Sequence, residues 1–456
     1  MRFQKPTPWS LWRSRDVFTL VVGSALGIGN FFAIPSLVLY SGGAISLITH
    51  FMGLLVLGST LLVGEIIWSR WLLRPYWNSY QVFKVNRPWL VPVFSFLAIV
   101  LIVPPYLSDL GYILFLFSQS TMTRLLGAQP WIVQGFEEQL VRFLGTCLVS
   151  LVTFFTLKLS PAKLGRLFFL LVMLTLVCVS VVCTGIIFHW GFENISLVLY
   201  WDDSKVSIRS LYKNLVFSLF TLSAGFGVIY HYFYYASQKP IIGESDENMG
   251  FWKKPGGIFV LVAWVLVLDL FMSVCSLIMI SPFATSELQK MSLYSGGGSD
   301  GGHFVNADTL ILDWVPLVLS RASGGEYLEG CLYLGLLAAG MAAVVSLLDL
   351  CVFSFEKEMS WSRNKSARHV LVLIFLSLGI TLLTPLSNFL KFLGAEIFLP
   401  VSSLILCFLV GWRMPKRFQR QIVGRGLMLD RVFDLWRVSI RYLTPGFIIY
   451  YLVSLL

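Results

Sequence analysis

The sequence predicts an all-α polytopic membrane protein, arranged as two inverted five-helix repeats with one broken helix in each and an eleventh helix at the end. Three observations lead there. The chain of 456 residues is 57% hydrophobic and only 13% charged, with a mean hydropathy of +0.78, more apolar surface than a soluble chain of this length can bury. Apolar segments of bilayer-spanning length recur along it. Two of these segments, five apart in order, carry the same interruption: a small hydroxyl residue, then glycines separated by one apolar residue.

The apolar segments lie near 17–40, 44–70, 89–119, 142–158, 164–190, 211–236, 256–283, 328–354, 368–386, 389–412 and 440–456, each about as long as a bilayer demands. The loops between them alternate in charge. Arg2, Lys5, Arg13 and Arg15 precede the first segment; Arg70, Arg74, Lys84 and Arg87 follow the second; Lys158, Lys163 and Arg166 separate the fourth from the fifth. Glu137, Glu138, Asp202, Asp203, Asp300, Asp308 and Asp313 occupy the alternate loops. Basic loops stay on the cytoplasmic side, so the N-terminus is expected inside and the C-terminus outside. The expected layout is a cytoplasmic N-terminus (1–16), a first repeat (17–190), an outer loop (191–210), a second repeat (211–412) containing an outer loop at 284–327, a basic cytoplasmic loop (413–439) and the eleventh helix (440–456). Within 284–327, Ala307–Leu319 has the periodicity of a short helix. No cleavable signal peptide is expected, because the first apolar run is long and reads on into a second. The seven cysteines fall in apolar stretches without metal or disulfide spacing and read as packing residues. The +10 net charge suits a basic membrane face rather than nucleic acid.

The interruptions carry the functional information. The first reads Val21-Val22-Gly23-Ser24-Ala25-Leu26-Gly27-Ile28-Gly29-Asn30-Phe31, and the second Phe220-Thr221-Leu222-Ser223-Ala224-Gly225-Phe226-Gly227. In hydrocarbon every backbone polar group needs a partner, so unwound backbone is tolerated where it lines a cavity or binds a polar ligand. Close packing of small residues is the alternative for either cluster alone. Units of five helices in series must point opposite ways, and breaks at matching positions of two such halves point to a transport site near the bilayer midplane.

The ordered set of motifs resembles the neurotransmitter:sodium symporter family, in its eleven-helix, leucine-transporter-like bacterial branch. Gly27, Gly29, Asn30 and Pro35 match the first helix; Gly42, Gly43 and Glu65 follow; Phe220, Thr221, Ser223, Gly225, Phe226 and Gly227 match the sixth; Ser346-Leu347-Leu348-Asp349 and Trp361-Ser362-Arg363 match the eighth and the loop after it; Pro316-Leu317-Val318 and Gly324-Gly325 resemble a re-entrant outer loop. The resemblance implies alternating-access transport of an amino acid with sodium. It places Tyr106 at the substrate carboxylate, with Ser24, Ala25, Ile28, Gly29, Ile102, Phe220, Thr221, Ser223, Phe226 and Leu347 around the substrate. Walls so apolar favour a neutral, hydrophobic amino acid. It also places a first sodium site at the Ala25 carbonyl, Asn30, Thr221 and Asp269. An aspartate inside the bilayer is expensive, and its carboxylate is a hard ligand suited to a small cation.

Several positions depart from the family pattern. The second sodium site maps to the carbonyls of Gly23, Leu26 and Ala339, but its two hydroxyl positions hold Ala342 and Ala343, so this site is expected not to function. The outer gate pair maps to Ala33 and Lys391, leaving a lone cation. The inner aspartate maps to Lys357, flanked by Glu356 and Glu358, while Asp349 has no partner that the sequence names. His50 takes the place of a tyrosine that helps bind chloride in chloride-dependent relatives, so no chloride is expected. That position lies near Asp269, where His50 is either a packed histidine or half of a proton site.

The expected partners are thus a small-molecule amino acid, one sodium ion and the lipid bilayer, with no nucleic acid. Proton coupling through His50 and Asp269, or amino-acid sensing without translocation, are the alternatives. An enzyme is not expected, since no metal-ligand cluster, phosphate loop or Ser/His/Asp set stands at membrane depth.

Overall fold

The computed structural model describes residues 14–27, 29–72, 74–80, 90–126, 136–200, 206–237, 256–284, 310–381, 384–424 and 426–455. Among them nine helices are long and apolar enough to cross a membrane. The predicted sixth and ninth segments complete the set: the sixth is split into two short halves, and the ninth begins with a basic turn.

The first segment forms α1 (Ser14–Ala25) and α2 (Gly29–Tyr40). The second forms α3 (Ala44–Gly53) and, after a π-turn at Leu54–Gly58, α4 (Ser59–Leu72). A single turn, α5 (Tyr76–Ser79), leads to α6 (Leu90–Leu126), which runs on through Pro104 and Pro105. At 37 residues α6 is about 55 Å long, well beyond the roughly 30 Å hydrocarbon core. Then come α7 (Phe136–Leu157), α8 (Pro161–Trp190) and the short α9 (Glu193–Val198) in the expected outer loop. The broken sixth segment gives α10 (Ile208–Thr221) and α11 (Val228–Ser237). They are followed by α12 (Gly257–Ile280), α13 (Val315–Leu319) and the long rod α14 (Gly325–Glu358). The chain closes with α15 (Arg363–Thr381), α16 (Thr384–Phe392), α17 (Leu399–Phe408), α18 (Lys416–Val423), α19 (Leu427–Val438) and α20 (Thr444–Leu455).

The basic stretch 413–439, expected as a loop, holds two helices, α18 and α19. Its charges fall four residues apart on each of the two helices and pair between α18 and α19, Lys416 with Asp434 at 3.3 Å and Arg420 with Asp430 at 2.6 Å. α19 runs through a π-turn (Ser439–Leu443) into α20, so the last span begins at Leu427 rather than at residue 440. The predicted short helix begins as a π-turn (Leu310–Trp314) ahead of α13; residues 307–309 lie outside the described residues.

Two groups of helices form around the breaks. α6, α7, α14 and α15 pack on one another, while α3 packs on α10, α4 on α11, and α2 on α12. α1 touches both groups through α8, α14, α11 and α12. The outer faces of α7 and α8 expose Phe155, Leu170, Val177 and Phe188, side chains suited to hydrocarbon. The molecule is an integral membrane protein.

Candidate functional site

The second break is held open by polar side chains. Ser223, Gly225 and Gly227 have φ of +52°, +90° and +88°, a region that glycine enters freely and serine does not. A side chain at Gly227 would run into the ring of Tyr76. Beyond the break, the first amides of α11 have no helical partner. The buried Glu65 carboxylate of α4 accepts from Gly225 N–H at 2.7 Å, Tyr230 N–H at 3.1 Å and Gly227 N–H at 3.4 Å, an anion placed where the helix dipole favours it. The freed carbonyl of Gly225 accepts from Ser402 Oγ at 2.7 Å, and a chain of hydroxyls (Ser402, Ser95, Tyr76, Tyr80) extends behind it. The two breaks are joined directly, because Ser223 Oγ donates to the Ser24 carbonyl at 2.7 Å.

Beside this junction lies a cavity of about 30 Å³ lined by Gly27, Gly29, Ile102, Val103, Tyr106, Phe220, Thr221, Ser223, Phe226, Ala343, Val344 and Leu347. Its walls come from both breaks, from α6 and from α14. The Tyr106 and Phe220 rings pack 5.8 Å apart on one side. The volume is small, room for a water or two.

Next to the pocket, Asn30 and Asp269 meet. Asn30 Nδ2 donates to Asp269 Oδ1 at 2.9 Å and to the Asp269 carbonyl at 3.3 Å. His50 Nε2 stands 3.6 Å from Asp269 Oδ2. All three residues are buried, and Asn30 Oδ1 and Asp269 Oδ2 have no hydrogen-bond partner. Buried acceptors left this way cost free energy unless something meets them. Thr221 Oγ1 donates to the Ser218 carbonyl at 3.2 Å, which leaves its lone pairs available. The Ala25 carbonyl belongs to the last turn of α1, whose carbonyls have no helical donor. Hard oxygens of these kinds are the ligands that small cations take.

No family model and no curated protein matches the sequence. Among solved structures, the chain is similar to MhsT, crystallised in complex with L-phenylalanine, with a TM-score of 0.77 at 19% identity over 100% of both chains. The chain has the leucine-transporter fold.

Within that fold the pocket brings together eight of the residues named from the sequence: Gly29, Ile102, Tyr106, Phe220, Thr221, Ser223, Phe226 and Leu347. It adds Gly27, Val103, Ala343 and Val344 to the expected substrate residues. Ile28 lies outside the described residues. Ser24 and Ala25 stand behind the lining, with the Ser24 hydroxyl turned back onto the Val21 carbonyl at 2.8 Å.

Leu26, Ala339 and Ala342 are buried, and Gly23 is packed tightly on its side-chain face. A methyl group on Gly23 would meet the Phe168 ring of α8 at 2.6 Å and Val172 at 3.3 Å. One on Gly27 would meet the Ala343 methyl at 3.2 Å. The nearby Ser346 hydroxyl is spent on its own helix, donating to the Ala343 carbonyl at 2.7 Å.

The expectations for the gates need correcting. Lys391 is not a lone cation: its ammonium lies 2.8 Å from Asp109 Oδ2 of α6. The sequence reading overlooked Asp109, although it stands one helical turn beyond Tyr106 on the same face. The ion pair beside Ala33 is Lys213–Glu396 at 2.8 Å, which lines a second cavity of about 190 Å³ together with Tyr451. On the opposite side, Asp349 does have partners. His231 Nε2 of α11 stands 3.0 Å from Oδ2, Arg363 Nη2 donates to Oδ1, and Arg363 Nε donates to the Leu157 carbonyl at the end of α7 at 2.8 Å. Lys357 lies outside that network, 5.8 Å from the Phe353 ring, while Glu358 accepts from Asn78 at 2.5 Å.

Proposed function

We propose that the chain is a secondary active transporter that takes up a neutral, hydrophobic amino acid together with one sodium ion by alternating access. The observation that carries this reading is the pair of buried, unpartnered oxygens, Asn30 Oδ1 and Asp269 Oδ2, beside an apolar pocket at the junction of two broken helices. The likeness over full length to MhsT, a protein crystallised with L-phenylalanine, supports an amino-acid substrate of that kind.

In this reading the Tyr106 phenol and the first amides of α2 take the substrate carboxylate, combining a hydrogen-bond donor with the positive end of a helix dipole. Phe220, Phe226, Val103 and Leu347 wall the side chain. Sodium binds at Asn30, Asp269, Thr221 and the Ala25 carbonyl, and a second ion is not expected because Ala342 and Ala343 bring no hydroxyl oxygen. One charge per cycle draws about 2.3 kcal/mol from each 100 mV of membrane potential. Closure on one side rests on Asp109–Lys391. On the other side it rests on the buried His231–Asp349–Arg363 network, which pins the hinged α11 to the rod α14 and must break for the substrate to leave.

A second reading is favoured by the 3.6 Å approach of His50 to Asp269: a proton shared by this pair in place of sodium. Uptake of radiolabelled phenylalanine into proteoliposomes decides between the two. The proposal requires accumulation driven by an inward sodium gradient. Accumulation indifferent to sodium and driven by a pH gradient would assign the coupling to His50 and Asp269. Saturable binding with no accumulation under either gradient would make the protein a sensor.

A further inference from the structure

The Asp109–Lys391 pair stands where the charge of a substrate would be felt. Asp109 follows Tyr106 by one turn of α6, and both are directed to the same side of that helix. Lys391 approaches from α16. Close approach of the two elements is possible because Gly394, just beyond Lys391, has no side chain and lies against Ile102 of the pocket wall. The ammonium is 2.8 Å from Asp109 Oδ2 and 5.9 Å from the centre of the Tyr106 ring. Asp109 is mostly buried and Lys391 partly so, with side-chain exposures of 10% and 23%. The pocket below them is otherwise lined by apolar side chains, one phenol and two hydroxyl residues.

Resting on the amino-acid reading above, we propose that Asp109 and Lys391 are specificity-determining residues: together they form a charge-compensated roof that restricts the pocket to amino acids of zero net charge. A desolvated pocket reads charge strongly, because fields are weakly screened there. With both charges present the roof is neutral and offers nothing to a net charge on the substrate. With one charge removed, the other is left beside Tyr106 and selects for its opposite. A role in holding α6 to α16 alone would not distinguish anionic from cationic ligands.

The test is the charge preference of D109N, K391M, the double variant D109N/K391M and the exchange D109K/K391D. Competition of glutamate and lysine against labelled phenylalanine uptake is measured in proteoliposomes, and thermal stabilisation by neutral, anionic and cationic amino acids is measured on the same proteins in detergent. D109N should shift the glutamate-to-lysine preference toward glutamate by about tenfold or more, and K391M should shift it toward lysine by a similar factor. The double variant and the exchange should return to the wild-type preference, which also shows that loss of folding is not the cause. Single variants that shift in the same direction, or not at all, would overturn the proposal. If the wild type is stabilised by amino acids without accumulating them, the transport reading fails while the detergent measurement still decides the roles of Asp109 and Lys391. If no amino acid of any charge stabilises or crosses with any of the four variants or the wild type, both fall.

Discussion

The end of α1 meets opposite surroundings on its two flanks. Toward α12, the segment beyond the break presents Asn30 to Asp269, and two buried oxygens there have no partner. Toward α8 and α14, Gly23 and Gly27 meet the Phe168 ring, Val172 and the Ala343 methyl. The same break therefore serves a polar site on one flank and plain packing on the other. In the proposed reading the flank with an amide and a carboxylate carries the ligands a desolvated cation requires, and the flank of Gly23 and Gly27 does not. A broken helix marks where ions can be held; the side chains opposite it decide how many are.

The largest effect expected from disturbing this contrast is at Asp269. D269A removes the one fixed negative charge of the oxygen-rich flank and should lower uptake by about a hundredfold or more, measured as initial rates in proteoliposomes. D269N should retain sodium-driven uptake in part if a cation binds there, and none if the His50–Asp269 pair carries a proton.

Next in size is the second break, where the comparison concerns stability. E65A leaves the amides of Gly225, Gly227 and Tyr230 without their acceptor, at a cost of about 3 kcal/mol or more. A fall in melting temperature in detergent, larger than for D269A, is the expected result. An unchanged melting temperature would mean that water or other groups replace the carboxylate.

Y106F comes third. Loss of one hydrogen bond to a charged group costs about 1.5–3 kcal/mol, so amino-acid affinity should fall roughly ten- to a hundredfold while the sodium dependence keeps its shape. Unchanged affinity for every bound amino acid would remove Tyr106 from the carboxylate.

The smallest effect belongs to the apolar flank. A342T/A343S restores hydroxyls to the positions where the family pattern has them, yet Phe168 and Val172 still lie against Gly23. The order of the sodium dependence should therefore stay the same as in the wild type. A steeper dependence in this variant would show that hydroxyls alone make the missing site.

Much of this contrast was legible in the sequence, for a physical reason. Gly27-Ile28-Gly29-Asn30 and Gly225-Phe226-Gly227 signal a break through local backbone chemistry, while Ala342 and Ala343 stand where the family resemblance would place hydroxyls. The polar partners of the breaks were less legible because they arrive from distant segments. Asp109 and Lys391 are separated by 282 residues, and His231 and Asp349 by 118, so Lys391 read as unpaired and Asp349 as isolated. The stretch 413–439 differs from expectation for another reason: average hydropathy registers its arginines and lysines but not the packing of two helices that brings Lys416 to Asp434 and Arg420 to Asp430. The filling of the second flank by Phe168 was invisible from α1 and α14, since that ring belongs to α8.

The most direct test of the account is the sodium dependence of phenylalanine uptake by the wild-type protein in proteoliposomes, with the ratio of sodium to phenylalanine moved measured from paired isotope fluxes. One oxygen-rich flank and one apolar flank predict a hyperbolic sodium dependence and one sodium ion for each phenylalanine. A sigmoidal dependence with two sodium ions per substrate would contradict it.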